Sequence, residues 1–380
     1  MPAARHVKTE RRVRRSRHLV LYWRRERLIV YNYATGVRVQ GDPLLCRLLD
    51  YCSDWRTADD IRQRLGLDSA PAVRTLLSRL LSRGLLERSD RPESAQAAAM
   101  AALDRWNPEA GFFHTATKNV QFWSPLDAAR QSRIQSATWP MPAPIKRYRG
   151  ATTVDLPKPR AGEFGNVLRG RRTWRRFSTA PIAIDDLATV LGLSAGVLRW
   201  VQTPAGEVPL KTSPSGGARH PIECYVIATR VSGLRPGVYH YAADRHALER
   251  LRGPVSPNRV ASYYPSSRYF ARAPVQVFFT AVFERQVWRY PYARAYRAAL
   301  AEAGHVCQTF CLVATWLGLA PFCLMGLADS LIEGDLGLDG VRESVIYAAG
   351  LGLPPRGTTW APLAPNVKGK LKTRLNKRLG

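Results

Sequence analysis

The sequence predicts an α+β protein: a central mixed sheet packed by helices, preceded by a small winged-helix-like module. Three observations carry this. Strand-like and helix-like runs alternate from residue 166 onward, and one mostly apolar run, 293–321, has the length of a long buried helix. Before residue 90, two short strands are followed by three helices that carry their own capping signals.

Residues 18–36 read as the strands HLVLYW and RLIVYNY, closed at Ala34-Thr35-Gly36, with Tyr22, Trp23, Tyr31 and Tyr33 as β-favouring side chains. The first helix, 42–52, has Asp42 as N-cap and Pro43 in its first turn. The second, 57–65, sets Thr57 against Asp60 as a capping box does. The third, 69–86, repeats leucine at helical spacing and stops at Gly84. Such a module binds DNA through a basic helix (here Arg74, Arg79 and Arg83), clamps an extended peptide on its sheet edge, or serves as a structural appendage. Its bounds are 18–90, after a basic arm at 1–17.

Residues 91–164 read as a connector. It holds an alanine-rich helical piece at 94–104, the aromatics Trp106, Phe112, Phe113, Phe122 and Trp123, and a proline-dotted stretch at 139–160 that favours extended chain. The α+β domain then spans 165–358. Residues 166–177 are a helix or helix end, 185–198 a helix, 223–231, 237–243 and 275–283 strands, 293–321 the long helix, and 344–352 the last strand. A basic tail occupies 359–380.

With 57 Lys+Arg against 29 Asp+Glu, the net charge is +28. This favours an anionic partner (nucleic acid, a phosphorylated ligand or an acidic peptide), or reflects arginine spent on solvated surface. None of the six cysteines sits in a CxxC pair, so neither a zinc ribbon nor a redox dithiol is expected, and no metal site is assigned. Cys307 and Cys311 share one helix face and read as small buried hydrophobes. No stretch reaches the roughly 20 apolar residues of a membrane span, and no hydrophobic signal follows the basic N-terminus, so a soluble cytoplasmic protein is expected.

Three constellations carry chemistry. Arg171, Arg172 and Arg175, with the Thr173 hydroxyl between them, suit a phosphate, although on its own such a run more often marks a surface arginine stretch or a nucleic-acid patch. In Ser213-Pro214-Ser215-Gly216-Gly217, the glycines admit a flat ligand close to the backbone and Ser215 can donate to its carbonyl; a plain turn is the alternative. Residues 318–326, ending in Leu324-Met325-Gly326, form an apolar loop able to present backbone N–H groups to a ring, or simply a buried connection.

Taken in order, these segments resemble the nitroreductase superfamily, and more closely its SagB-type dehydrogenases, the thiazoline/oxazoline oxidases of ribosomal peptide biosynthesis. PSGGARHPIECYVI, GVYHYAADRHALERL, the 295–322 helix region and IYAAGLG carry the likeness, over about half the chain. The resemblance implies a nitroreductase-like fold, FMN as cofactor and a homodimer in which two chains complete each flavin pocket. It assigns Arg171, Arg172, Thr173 and Arg175 to the phosphate and ribityl chain, Pro214, Ser215 and Gly216 to the ring, and Leu324, Met325 and Gly326 to its N5 side. Glu302, Gly304, His305 and Gln308 fill the family pattern on the long helix, with His305 a candidate for a direct role. The family's N-terminal region is often a peptide clamp, which matches 18–87.

One departure bears on the reaction. The family's azoline oxidases carry a Lys-Tyr pair before the long helix, whereas this chain has Trp288-Arg289-Tyr290-Pro291-Tyr292. Arginine stays protonated and cannot serve as general base, so Arg289 suits charge stabilisation, and Tyr290 or Tyr292 the tyrosine role, with Tyr290 the candidate beside Arg289. The implied activity is FMN-dependent oxidation of a peptide-derived substrate such as an azoline, with hydride passing to flavin N5 and oxygen as acceptor, alongside a cyclodehydratase partner. Two alternatives stand: an NAD(P)H-dependent nitroreductase or enone reductase for small molecules, and a nucleic-acid-binding protein using the winged helix.

Overall fold

A computed structural model describes residues 11–92, 95–101, 107–138, 143–146, 155–159, 162–204 and 206–358. The first ten residues of the basic arm, the tail at 359–380 and most of the 139–160 stretch lie outside the described residues. The described residues divide between two compact units, Met1–Lys118 with Phe283–Arg297, and Asn119–Val282 with Ala298–Gly380.

The first unit opens with Val13–Arg15 (β1), then the antiparallel meander Leu19–Arg24 (β2), Arg27–Asn32 (β3) and Val37–Gln40 (β4). The helices Pro43–Tyr51 (α1), Ala58–Leu65 (α2) and Ala70–Ser82 (α3) follow, and Leu86–Arg88 (β5) pairs antiparallel with β1. The caps act as the sequence implies: Asp42 accepts from the Leu45 N–H at 2.7 Å, and Thr57 and Asp60 exchange reciprocal bonds at 3.1 and 2.9 Å. Gly84, at φ +67, ends α3 earlier than the leucine repeat suggests, so Leu86 lies in a strand. Val30, Leu48, Ile61, Val73, Leu77 and Leu80 close the core. Strands β1, β4 and β5 carry too few apolar residues to be read from the sequence.

Ala95–Ala101 (α4) and Asn107–Thr117 (α5) continue this unit. On α5, Phe112 meets Tyr31 edge-on at 5.5 Å. His114 is fully buried, its Nδ1 2.9 Å from the Tyr296 hydroxyl, and Phe283 stacks on Tyr296 at 5.2 Å.

The second unit contains Pro125–Thr138 (α6), Glu163–Gly170 (α7), Ile182–Ala183 (β6), Ile184–Ala195 (α8) and the hairpin Val197–Thr203 (β7) with Gly206–Lys211 (β8). Ile222–Ala228 (β9), Val231–Ser232 (β10), Gly237–Ala242 (β11), Ala247–Arg252 (β12), Pro257–Ser262 (α9) and Val275–Val282 (β13) follow. Phe283–Arg289 (α10) belongs to the first unit. Ala295–Trp316 (α11) leads to Ala320–Leu324 (β14), Asp329–Leu336 (α12) and Glu343–Gly352 (β15).

The main sheet has the order β12-β11-β9-β13-β15-β14, with every ladder antiparallel; the parallel component is the short β10–β6 pair. Successive strand residues face opposite sides. Phe278 accordingly meets Tyr263 and Tyr264 beside α9, at 5.6 and 6.3 Å, while Phe279 meets Phe310 of α11 at 6.0 Å. The sheet is thus covered on both faces, which explains the largely apolar runs of β9 and β13.

Three expectations change. Residues 320–324 are a sheet strand, neither helix end nor loop: Gly318, at φ +73, ends α11, and pairing with β15 satisfies the backbone beyond it. Residues 197–198 belong to a hairpin strand, because α8 stops before Gly196. The connector holds two further helices, α5 and α6, which polar composition concealed.

Candidate functional site

Helix α7 ends at Gly170, and residues 171–177 leave it without regular structure. The Trp174 N–H donates to the Pro321 carbonyl at 2.9 Å, fastening the arginine segment to β14. Arg171, Arg172 and Thr173 are half-buried and Arg175 is exposed. One Arg172 nitrogen donates to the Arg169 and Arg171 carbonyls at 3.2 and 3.1 Å. Among the described residues, no carboxylate pairs with Arg171, Arg172 or Arg175. Three guanidiniums within five residues suit a multiply charged anion such as a phosphate monoester.

The 213–220 turn is anchored to α11. The Gly216 N–H donates to Glu302 Oε1 at 3.0 Å, and the Ser213 and Thr309 hydroxyls lie 3.3 Å apart. Ser215 Oγ accepts from the His220 N–H at 2.8 Å. Gly217 takes φ +61, and Ala218 and His220 take +53 and +42, a conformation that side chains rarely adopt. Strain of this kind persists where surrounding contacts over-determine the backbone. Ser215 and Gly216 remain partly exposed, and Pro214 is exposed.

Leu324 ends β14, after which Met325 is exposed and Gly326 half-buried. The Phe122 ring lies 3.8 Å from where a Cβ on Gly326 would stand. Residues 119–124 are held there by Asn119, whose N–H donates to Asp329 Oδ2 at 3.0 Å and whose side chain bonds Ser330 at 2.8 Å. The proximity of Phe122 to Gly326 could not be read from the sequence, because it joins residues about 200 positions apart.

Cys323 on β14 approaches Cys307 and Cys311 of α11, the three Sγ atoms all within 4.8 Å of one another. Hydrogen bonds from Cys307 and Cys311, then from Tyr347, hold the Cys323 thiol well below its ordinary pKa, with the Arg171 charge acting in the same direction. Burial pushes Cys307 far above it. The sequence missed this cluster because its third member comes from a different element.

The three predicted segments therefore border α11 and β14. His305, also on α11, is exposed. Arg289 is exposed, with its guanidinium 6.0 Å from the Tyr290 ring centroid; both residues belong to the first unit, whereas the three segments belong to the second. In the first unit, a cationic groove of about 620 Å³ runs past Arg14, Arg15, Arg17, Leu19 and Leu21, beside the edge strand β2. Among the described residues, no helix is long and apolar enough to cross a membrane.

An antiparallel sheet with a long helix across one face, bordered by an arginine segment and a strained Ser-Gly turn, defines an α+β domain. The nitroreductase family profile matches residues 168–353. MJ1384 of Methanocaldococcus jannaschii, by its name a nitroreductase, is 31% identical over 180 residues, 47% of this chain and 87% of that protein. The chain belongs to the nitroreductase family. The trifolitoxin-processing protein TfxB of Rhizobium leguminosarum bv. trifolii is 32% identical over 174 residues, 44% of this chain and 46% of that protein. The microcin B17-processing protein McbC of Escherichia coli is 33% identical over 135 residues, 33% of this chain and 48% of that protein. The chain thus spans about half the length of these two peptide-processing relatives.

Proposed function

We propose that this nitroreductase-family oxidoreductase is FMN-dependent, of the SagB type, and oxidises a peptide-derived substrate such as an azoline heterocycle. The observation that carries the cofactor reading is the arginine segment, which has no carboxylate partner among the described residues and is fastened by the Trp174 N–H to β14. Bound FMN supplies a two-electron acceptor for hydride. Arg171, Arg172 and Arg175 hold its phosphate by charge-assisted hydrogen bonds, with Thr173 adding a hydroxyl. Pro214, Ser215 and Gly216 take the ring edge, and Glu302 keeps the Gly216 backbone in register. Leu324, Met325 and Gly326 would line the N5 side of the bound flavin and offer it a mainly apolar surface. Arg289, permanently charged, stabilises developing negative charge, and Tyr290 handles the proton; His305 serves on the exposed face of α11. Oxygen serves as the terminal acceptor.

TfxB and McbC, both named for peptide processing, support the substrate class. The cationic groove beside β2 supports a peptide-holding role for the N-terminal winged-helix-like module, because an edge strand can accept an extended segment by backbone pairing. A cyclodehydratase then supplies the azoline. The exposed residues of α11, including His305, Gln308 and Trp316, support a homodimer.

The test is a visible spectrum of the purified protein, FMN reconstitution of apoprotein, and incubation with azoline-bearing peptides in air. A flavin spectrum with loss of two hydrogens from the peptide is expected. Protein that takes up no FMN overturns the cofactor reading. The similarity to MJ1384 favours a second reading, NAD(P)H-driven reduction of small molecules. Turnover of a nitroaromatic with NADPH, and none of the peptide, would select it.

A further inference from the structure

We propose that Cys307, Cys311 and Cys323 form a three-coordinate thiolate site for a soft monovalent metal ion, of the Cu(I) class. The proposal is independent of the flavin reading. The four-residue spacing on α11 puts Cys307 and Cys311 on one helix face, and β14 brings Cys323 to them, with all Sγ atoms within 4.8 Å of one another. Metal–thiolate bonds of about 2.3 Å at the centre of a sulfur triangle place the sulfurs about 4.0 Å apart. Small side-chain rotations therefore suffice to close the site.

The ligand set selects the ion. The group contains no imidazole or carboxylate, so calcium and magnesium lack oxygen donors. Structural zinc is held by four ligands, and the group offers three. Soft thiolates suit Cu(I), zinc and iron–sulfur clusters; the clusters and structural zinc take four ligands and catalytic zinc adds a water to three, so a triangle of three sulfurs alone fits Cu(I). Cys307 and Cys311 are each 2% exposed, whereas Cys323 is half-buried and gives the ion a way in. The Tyr347 hydroxyl donates to Cys323 Sγ at 3.7 Å. Outer-shell donors of this kind orient and tune metal ligands. Bound there, the ion would tie α11 to β14, immediately before the 324–326 loop.

The experiment titrates reduced full-length protein with Cu(I) under anaerobic conditions, against a competing Cu(I) chelator. A single equivalent bound per chain is expected, with a sulfur-only, three-coordinate shell by X-ray absorption. Cys311→Ser and Cys323→Ser should each weaken Cu(I) binding on the order of 100-fold or more, since outer-shell changes alone cost 10- to 100-fold. Cys46→Ser, outside the group, should leave it unchanged. Circular dichroism shows whether each variant folds, and half-buried Cys323 keeps the test open should Cys311→Ser fail to fold. FMN binding, measured on the same samples, separates this outcome from that of the flavin reading. Uptake below one equivalent, binding unchanged in both serine variants, or a disulfide within the group in protein that takes up no Cu(I) after reduction would overturn the proposal.

Discussion

Replacing Glu302 by alanine tests whether α11 sets the shape of the 213–220 turn. The Glu302 carboxylate is 5% exposed and accepts the Gly216 N–H at 3.0 Å. A hydrogen bond to a charged acceptor is worth about 1.5–3 kcal/mol, and alanine leaves the amide without it. That energy currently holds Gly216 beside Ser215, in a turn where Ala218 and His220 already sit at positive φ. If the turn is preorganised for the flavin ring, relaxation is paid on binding. The FMN dissociation constant of Glu302→Ala should then rise roughly 10- to 100-fold, the equivalent of about 1.4–2.7 kcal/mol. Glu302→Gln keeps a carbonyl acceptor and loses only charge assistance, so its loss should stay below about tenfold. Flavin fluorescence titration of apoprotein gives both constants, and thermal unfolding reports the stability cost separately. Unchanged FMN affinity in Glu302→Ala, with a lowered unfolding temperature, would refute the reasoning, because the carboxylate would then serve folding alone.

Three further predictions follow from the same structure. Arg171→Ala combined with Arg175→Ala should weaken FMN binding by about 100-fold or more, at about 1.5–3 kcal/mol per charged contact, and leave riboflavin affinity nearly unchanged; equal losses for both flavins would remove the phosphate assignment. Gly350→Ala sets a Cβ 2.4 Å from Phe322 Cε1 and 2.5 Å from the Val275 carbonyl oxygen, and the backbone contact cannot swing away. Overpacking of this kind costs about 1–3 kcal/mol, visible as a lower denaturation midpoint. His240 lies 3.0 Å from Glu223 and 2.8 Å from Glu249, and the Glu223 bond, then Glu249, raises its pKa to about 8. A raised histidine pKa stabilises fully below the unfolded value of about 6.5 and loses that contribution as pH climbs through about 8. At about 1.4 kcal/mol per pKa unit, the contribution is at most about 2 kcal/mol. Unfolding temperatures between about pH 6 and pH 9 should fall more steeply in the parent than in His240→Gln, and parallel curves would exclude the contribution.

What the sequence revealed depended on how local each determinant is. The caps at Asp42 and Thr57 act within three residues, so the helices they start could be read directly. Strand β13 was legible because burial on both faces makes its run largely apolar, with Gln276 and Thr280 the polar exceptions. Ala320-Pro321-Phe322-Cys323 gave no such signal, because a short apolar run fits a buried loop or a strand. Its identity comes from β15, whose partner residues begin at Ala348. The site divides the same way. The arginine segment and the Ser-Gly turn are contiguous and could be named. The Glu302–Gly216 bond joins residues 86 apart, and Cys323 meets Cys307 only because β14 folds back along α11.

Cofactor and reaction are consequently separable. The groups assigned to FMN lie on segments that hydrogen-bond to α11 or β14 within one compact unit, and the case for them rests on that mutual anchoring. The groups assigned to the proton, Arg289 and Tyr290, belong to the other unit. Arg289 cannot accept a proton, so it cannot stand in chemically for a lysine that acts as base. An azoline oxidation by this chain must therefore route its proton through Tyr290 or another group, which implies a different pH profile from an enzyme with the Lys-Tyr pair. A reduction of small molecules, by contrast, removes no proton from carbon and takes up one that solvent can supply, so Tyr290→Phe should slow it far less than it slows the oxidation. The same variant thus distinguishes the two chemistries while leaving the arginine segment and its anion untouched.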